Sequence, residues 1–246
     1  MKIGISTIVD TGNDGWERVE DFIKLGFKRI EFQTKVNRFR TQYLPSLIQM
    51  IKNNQIDSSI HSLAKNFFYH DQIIADSEYY RLKAEIRIIS IIGGSRVIFH
   101  IDKPDKLNSS DKKKIRELLD FAKENDIKLC LENSSRGLFA GNYLAELLDE
   151  FKDLYFCLDI GHLNVALHNN DVKDLEQFLN LIKNRILQLH VSYNDGSGDE
   201  HKELNKEGQK YLLRILEILN NDKIDLLVET KNLKQALKVR KFLEKL

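Results

Sequence analysis

Lys128-Leu129-Cys130-Leu131-Glu132, then helix-periodic residues from Tyr143 to Phe151, then Tyr155-Phe156-Cys157-Leu158-Asp159 set the architecture of this chain. Two short apolar runs of strand length separated by an amphipathic helix form the β–α–β unit of a parallel sheet. Both runs end in a carboxylate with a cysteine two residues earlier, and strand period places cysteine and carboxylate on one face.

The same alternation extends outward in both directions. Strand-like runs are Ile3 to Ser6, Arg29 to Phe32, Ser58 to His61, Arg96 to His100, Lys128 to Glu132, Tyr155 to Asp159, Ile186 to His190 and Asp225 to Glu229. Helical stretches between them are Trp16 to Leu25, Leu44 to Lys52, Ser77 to Ile92, Asp111 to Glu124, Tyr143 to Phe151, Val172 to Lys183, Glu207 to Leu219 and Leu233 to Leu246. Gly26 and the Gly93-Gly94 pair stand where helix ends need them, and Asn108 to Asp111 carries amino-terminal capping chemistry. Eight repeats predict an α/β protein, a single (β/α)8 barrel over residues 1–246, with its core inside one domain.

Bulk properties exclude little. Lys plus Arg number 38 and Asp plus Glu 37, so net charge (+1) neither advertises nucleic-acid binding nor rules out a local basic patch. There is no amino-terminal apolar run with a cleavage site and no long apolar stretch, so the expectation is a cytoplasmic protein without a membrane partner. Cys130 and Cys157 are expected as small buried thiols facing the barrel interior, one layer below the strand-end carboxylates.

Active groups of such barrels come from the carboxyl ends of the strands and the loops that follow. His61, His100, Glu132, Asp159, His190 and Glu229 each close a strand-like run, and His162, Asp199 and His201 are expected in loops just beyond one. Asp159-Ile160-Gly161-His162 and Asp199-Glu200-His201 each offer a carboxylate and an imidazole to one rim. A lone strand-end histidine is usually a hydrogen-bonded structural group, but four carboxylates on one rim change the balance. At about 4 to 6 Å, their repulsion is several kcal/mol per pair even at an effective dielectric of about 20. One divalent ion leaves roughly −2 there and three leave about +2, enough to attract an anionic phosphodiester. Imidazole with carboxylate is the ligand set of borderline metals such as zinc.

With these motifs, the chain resembles the endonuclease IV family of abasic-site DNA repair endonucleases, within the wider xylose-isomerase-like barrels. The likeness runs from Met1-Lys2-Ile3-Gly4 to Glu229-Thr230. It implies three zinc ions: the first on His61, His100 and Glu132, the second on Glu132, Asp159, His190 and Glu229, the third on His162, Asp199 and His201. It also implies cleavage of damaged double-stranded DNA 5′ to abasic sites by a monomer, with Glu132 as the catalytic group orienting water and no side-chain nucleophile. Lys35 and Arg38 lie in a stretch similar to a family loop that enters the minor groove. Phe67 or Phe68 stands where the family places an apolar wedge, packing against the next helix being the other reading. Lys65 and Arg136 would contact phosphates. The chain departs from the family at Ser134-Ser135-Arg136-Gly137, where members are richer in glycine, and at Lys202, which replaces a second histidine.

The rival on the same barrel is a sugar isomerase or epimerase. It would hold one manganese, magnesium or zinc ion on Glu132, Asp159, His190 and Glu229, with the two glutamates moving protons beside the carbonyl of a small sugar and His162 on its hydroxyls. That reading leaves His100, Asp199 and His201 without work. A module that binds without catalysis explains the acidic, histidine-rich rim least well.

Overall fold

The computed structural model describes residues 2–9, 18–33, 44–69 and 71–246. Eight strands close into a parallel barrel in chain order: β1 (Ile3–Ser6), β2 (Arg29–Gln33), β3 (Asp57–His61), β4 (Arg96–Phe99), β5 (Lys128–Glu132), β6 (Tyr155–Asp159), β7 (Ile186–Val191) and β8 (Asp225–Val228). Around them run α1 (Val19–Lys24), α2 (Leu44–Asn54), α3 (Gln72–Ile92), α4 (Ser109–Glu124), α5 (Tyr143–Glu150), α6 (Ile160–His168), α7 (Leu175–Ile182), α8 (Lys206–Leu219) and α9 (Leu233–Leu243). No described helix is long and apolar enough to cross a membrane.

Local chemistry accounts for the ends of these elements. Asn108 and Asp111 close a reciprocal capping box at the start of α4, and Asp71 caps α3 through the amides of Ile73 and Ile74. Gly93 ends α3 at φ 85°, where a side chain would be strained. One helix departs from the sequence expectation: α6 begins immediately after β6, so His162 lies in a first helical turn and not in a loop.

Strand alternation divides the apolar residues. Ile5, Ile30, Phe32, Ile60, Val97, Phe99, Leu129, Leu131, Phe156, Leu158, Leu189 and Leu226 belong to one large core cluster shared with the helices. Inside the barrel the apolar filling is small: Ile98, Cys130 and Cys157 form a separate cluster with Tyr155 and Leu187 against it. Leu227 also lies inside, and much of the remaining interior is polar. Arg29 is fully buried, bonding Gln188 through Nε at 3.0 Å and Asp57 and Asp225 through Nη1 at 2.6 and 3.1 Å. Arg96 joins the same foot, donating to Asp225 at 3.1 Å and to the carbonyl of Leu187 at 3.0 Å. Gly4 faces this interior, where an added Cβ would lie 2.8 Å from both Arg29 Cβ and Leu227 Cδ1.

Candidate metal centre

Three groups of side chains meet at the carboxyl-terminal mouth. In each, one potential ligand atom per residue lies within 4.8 Å of the others: His61, His100 and Glu132; Glu132, Asp159, His190 and Glu229; His162, Asp199 and His201. Two further buried groups meet the same spacing, Glu31 with His61 and His190 and Glu132 with Cys157 and His190. Glu132 belongs to the first two. Its Oε2 is 3.1 Å from His61 Nε2 and 3.0 Å from His100 Nε2, while its Oε1 is 2.9 Å from His190 Nδ1. His190 Nδ1 also lies 2.8 Å from Glu229 Oε2 and 4.0 Å from Asp159 Oδ2. In the third group, Asp199 Oδ2 sits between His162 Nε2 at 3.1 Å and His201 Nε2 at 3.0 Å. The imidazoles form a continuous arc, with ring centroids 5.2 Å apart for His61 and His100, 6.0 Å for His100 and His162, and 6.4 Å for His162 and His201.

Local folding explains how distant residues arrive together. Asp159 closes β6 and caps α6: its Oδ1 accepts the His162 amide at 2.7 Å, which leaves Oδ2 facing the mouth. The helix so started brings His162 round to the same rim. Gly161 is required between them, because a Cβ there would lie 2.8 Å from Ser192 Oγ and 3.1 Å from Asp159 Oδ1. Asn133 clasps the seam between β5 and β6, accepting the Asp159 amide at 2.8 Å and donating to the Asp159 carbonyl at 3.0 Å. His201 holds a left-handed backbone at φ 46°, a cost tolerated at functional positions.

The electrostatics are those of a site short of cations. Burial disfavours a charged His61, yet Glu132, Glu229 and Glu31 outweigh it and raise the group to about 9. For His201 burial again opposes charge, and Asp199, Glu229 and Asp159 lift it to about 9. Asp159 moves up instead, through burial and repulsion from Glu132 and Glu229 that His162 only partly offsets. Glu132 Oε2, Asp159 Oδ2 and Glu229 Oε2 are buried and accept no well-directed hydrogen bond. Oxygens so placed fit divalent cations, because a buried carboxylate without a partner is costly. The cysteines are free and buried; burial raises Cys157 well above the usual thiol range, so it is no activated nucleophile despite lying beside Glu132 and His190.

The remaining sequence-based candidates divide. Lys65 is exposed at the edge of the pocket over the metal centre, and Arg136, also exposed, donates to the Ser197 carbonyl at 3.1 Å. Phe67 is fully buried and Phe68 nearly so, their ring centroids 4.5 Å apart and Phe67 6.0 Å from Phe99. Both rings are packed in the core, so either would have to leave it before unstacking bases. Lys35 and Arg38 lie outside the described residues. Sequence reasoning passed over Glu31 and Gln188, buried inside the barrel beneath His190. Their one signal is period two: Glu31 follows Arg29 on β2, and Gln188 precedes His190 on β7.

Comparison with known proteins follows the same lines. A sequence profile described as xylose isomerase-like TIM barrel matches residues 19–246. An uncharacterized protein of Methanocaldococcus jannaschii is 29% identical over 127 residues, which cover 51% of this chain and 53% of that protein. The match thus spans about half the length of that curated relative. Among solved structures, a D-tagatose 3-epimerase-like protein superposes with TM-score 0.79 at 20% identity, covering 100% of this chain and 96% of its own. Endonuclease IV from Thermus thermophilus superposes with TM-score 0.67 at 18% identity, covering 100% of both chains. Profile, closed barrel and rim together place the chain in the xylose isomerase-like TIM barrel family.

Proposed function

We propose that this chain is a zinc-dependent phosphodiesterase that cleaves duplex DNA 5′ to abasic sites. The observation that carries the reading is the third group, in which His162 and His201 converge on Asp199 outside the four-residue cage of Glu132, Asp159, His190 and Glu229. A one-ion enzyme has no use for Asp199 and His201. Divalent ions held in the three groups would supply activated water and positive charge for the negative charge on the phosphoryl oxygens and the leaving oxygen. Glu132, shared by the first two groups and almost wholly buried, would orient the attacking water. Lys65 and Arg136, both exposed in rim loops, are offered as phosphate contacts, with the protein acting as a monomer.

A second reading, a single-ion sugar epimerase, is favoured by one observation: the buried cage is complete without the third group. Metal content separates the two. Protein purified without added metal is expected to carry close to three zinc ions, and one manganese, magnesium or zinc ion would overturn the phosphodiesterase reading. Asp199→Ala combined with His201→Ala should remove one ion and lower cleavage of an abasic duplex about 10²–10³-fold, the typical cost of losing one electrostatic stabiliser. Unchanged metal content in that double variant would eliminate the third site. Ketose epimerisation by the same variant at the parental rate would support the rival.

A further inference from the structure

In the three histidines that face carboxylates from one nitrogen and a protein acceptor from the other, the acceptors differ in kind. His162 Nδ1 lies 2.7 Å from the Asn133 carbonyl, and His201 Nδ1 3.2 Å from the Glu229 carbonyl. His190 turns Nδ1 to Glu132 and Glu229, and its Nε2 lies 2.9 Å from Glu31 Oε1, a side-chain carboxylate. The same oxygen is 3.7 Å from His61 Nδ1. Glu31 is fully buried on β2, and its other oxygen is fixed by Ser59 Oγ at 2.9 Å and Gln188 Nε2 at 2.7 Å.

We propose that Glu31 is the positioning residue of the metal centre: it holds the proton of His190 on Nε2 and thereby presents an unprotonated Nδ1 to the ion shared with Glu132 and Glu229. This rests on the rim binding metal, not on the choice between hydrolysis and epimerisation. An outer carboxylate fixes the tautomer and ring orientation of a ligating histidine and raises its basicity. Here it has a further task, because a competing donor stands close by. Gln188 Nε2 lies only 2.9 Å from His190 Nε2. Were that amide to donate to Nε2, the ring proton would move to Nδ1, between two glutamates and in the ion's place. Glu31 opposes this from both oxygens: Oε1, which accepts no well-directed hydrogen bond, stands 2.9 Å from His190 Nε2 within reach of its proton, and Oε2 accepts one of the two N–H groups of the Gln188 amide. The amide is held from its far side as well, since Gln188 Oε1 accepts Arg29 Nε at 3.0 Å.

The test is zinc affinity by competition with a chelator, read with ¹⁵N chemical shifts of the His190 ring. Glu31→Gln should weaken the ion at His190 about 10–100-fold, the usual cost of losing an outer partner, and shift the metal-free ring, read at alkaline pH where it is neutral, towards the Nδ1–H form. Adding Gln188→Met to that variant should recover part of the lost affinity, since it removes the competing donor; a purely structural role predicts further loss. Gln188→Met alone should bind zinc within about threefold of the parent, and it keeps the proposal open to refutation should Glu31→Gln not fold. Parental affinity and an unchanged tautomer in Glu31→Gln would overturn the proposal. So would a tenfold loss in Gln188→Met alone. Loss of one whole ion, with the others unaffected, would make Glu31 a ligand and overturn the positioning role. The ion read here belongs to both functional readings, so its outcome is independent of whether three ions or one are bound.

Discussion

At the amino-terminal mouth of the barrel, Arg29 and Arg96 stand against Asp57 and Asp225, whereas at the carboxyl-terminal mouth Glu132, Asp159 and Glu229 face only imidazoles. Both clusters are buried, and both lie on strands of one sheet. The foot contains its own countercharges, two arginines and the exposed Lys2 against two aspartates, so it can close on itself. The rim is built short of cations, and its histidines are drawn towards protonation by the carboxylates around them. A polar barrel interior can thus be structural at one end and receptive at the other, the difference being whether the sequence encodes the compensating charge.

The sharpest way to break this contrast is at the foot. Arg29→Met leaves Asp225 to Arg96 and Asp57 to the exposed Lys2, and should cost about 3–5 kcal/mol, as removal of one partner from a buried ion cluster does. Chemical denaturation would measure it, with zinc stoichiometry unchanged. Next in size is metal removal: zinc at a hundredfold excess over Kd should stabilise the protein by about 2.7 kcal/mol per site, lost on chelation and read as a fall in Tm. Third, Asp159→Asn should act in the opposite sense to Arg29→Met. Asparagine still caps α6, but one repelling charge is gone, so the metal-free protein should gain about 0.5–2 kcal/mol while binding less zinc. Destabilisation of the metal-free form would refute the view that the rim is short of cations.

A further effect is expected on pH dependence, and its sign differs between the ends. His61 and His201, raised to about 9 in the metal-free fold, contribute stability that is fully present below their unfolded value near 6.5 and is lost as pH rises through 9. Zinc needs them neutral, so its affinity should climb over the same window, and the gap in Tm between loaded and stripped protein should widen from pH 6.5 to 9. At the foot, burial works against the charge of Asp57 but Arg29 and Arg96 prevail and lower it, so that contribution is present above the usual aspartate value and fades only in acid. A flat Tm gap across the alkaline window would separate the two ends less than the charge pattern requires.

Much of the barrel was legible because strand-length apolar runs alternate with amphipathic helices and their ends carry cap residues. All eight strands appear where the runs stand, within about two residues at either end. The helix α6 was not legible: Ile160 to His168 holds Gly161 and Val165, and it starts only because Asp159 turns one oxygen onto the His162 amide. The foot escaped notice for another reason. Arg29, Asp57, Arg96 and Asp225 each open a strand, where ordinary alternation hides a charge, and only barrel closure brings those four openings together. Glu31 shares that difficulty, lying mid-strand between Ile30 and Phe32 with no loop to announce it.

The Asn133 clasp carries a consequence for how such a barrel could diversify. By gripping the Asp159 peptide at both its N–H and C=O, and by offering its own carbonyl to His162, it decouples the ligands from the segment after β5. That segment, from Ser134 onward, folds back through its own bond from the Ser134 amide to the Phe139 carbonyl. Lengthening or exchanging it would alter which molecules reach the candidate metal centre while its side chains stay put, so one chassis could be refitted for a polymer or for a small sugar without being recut.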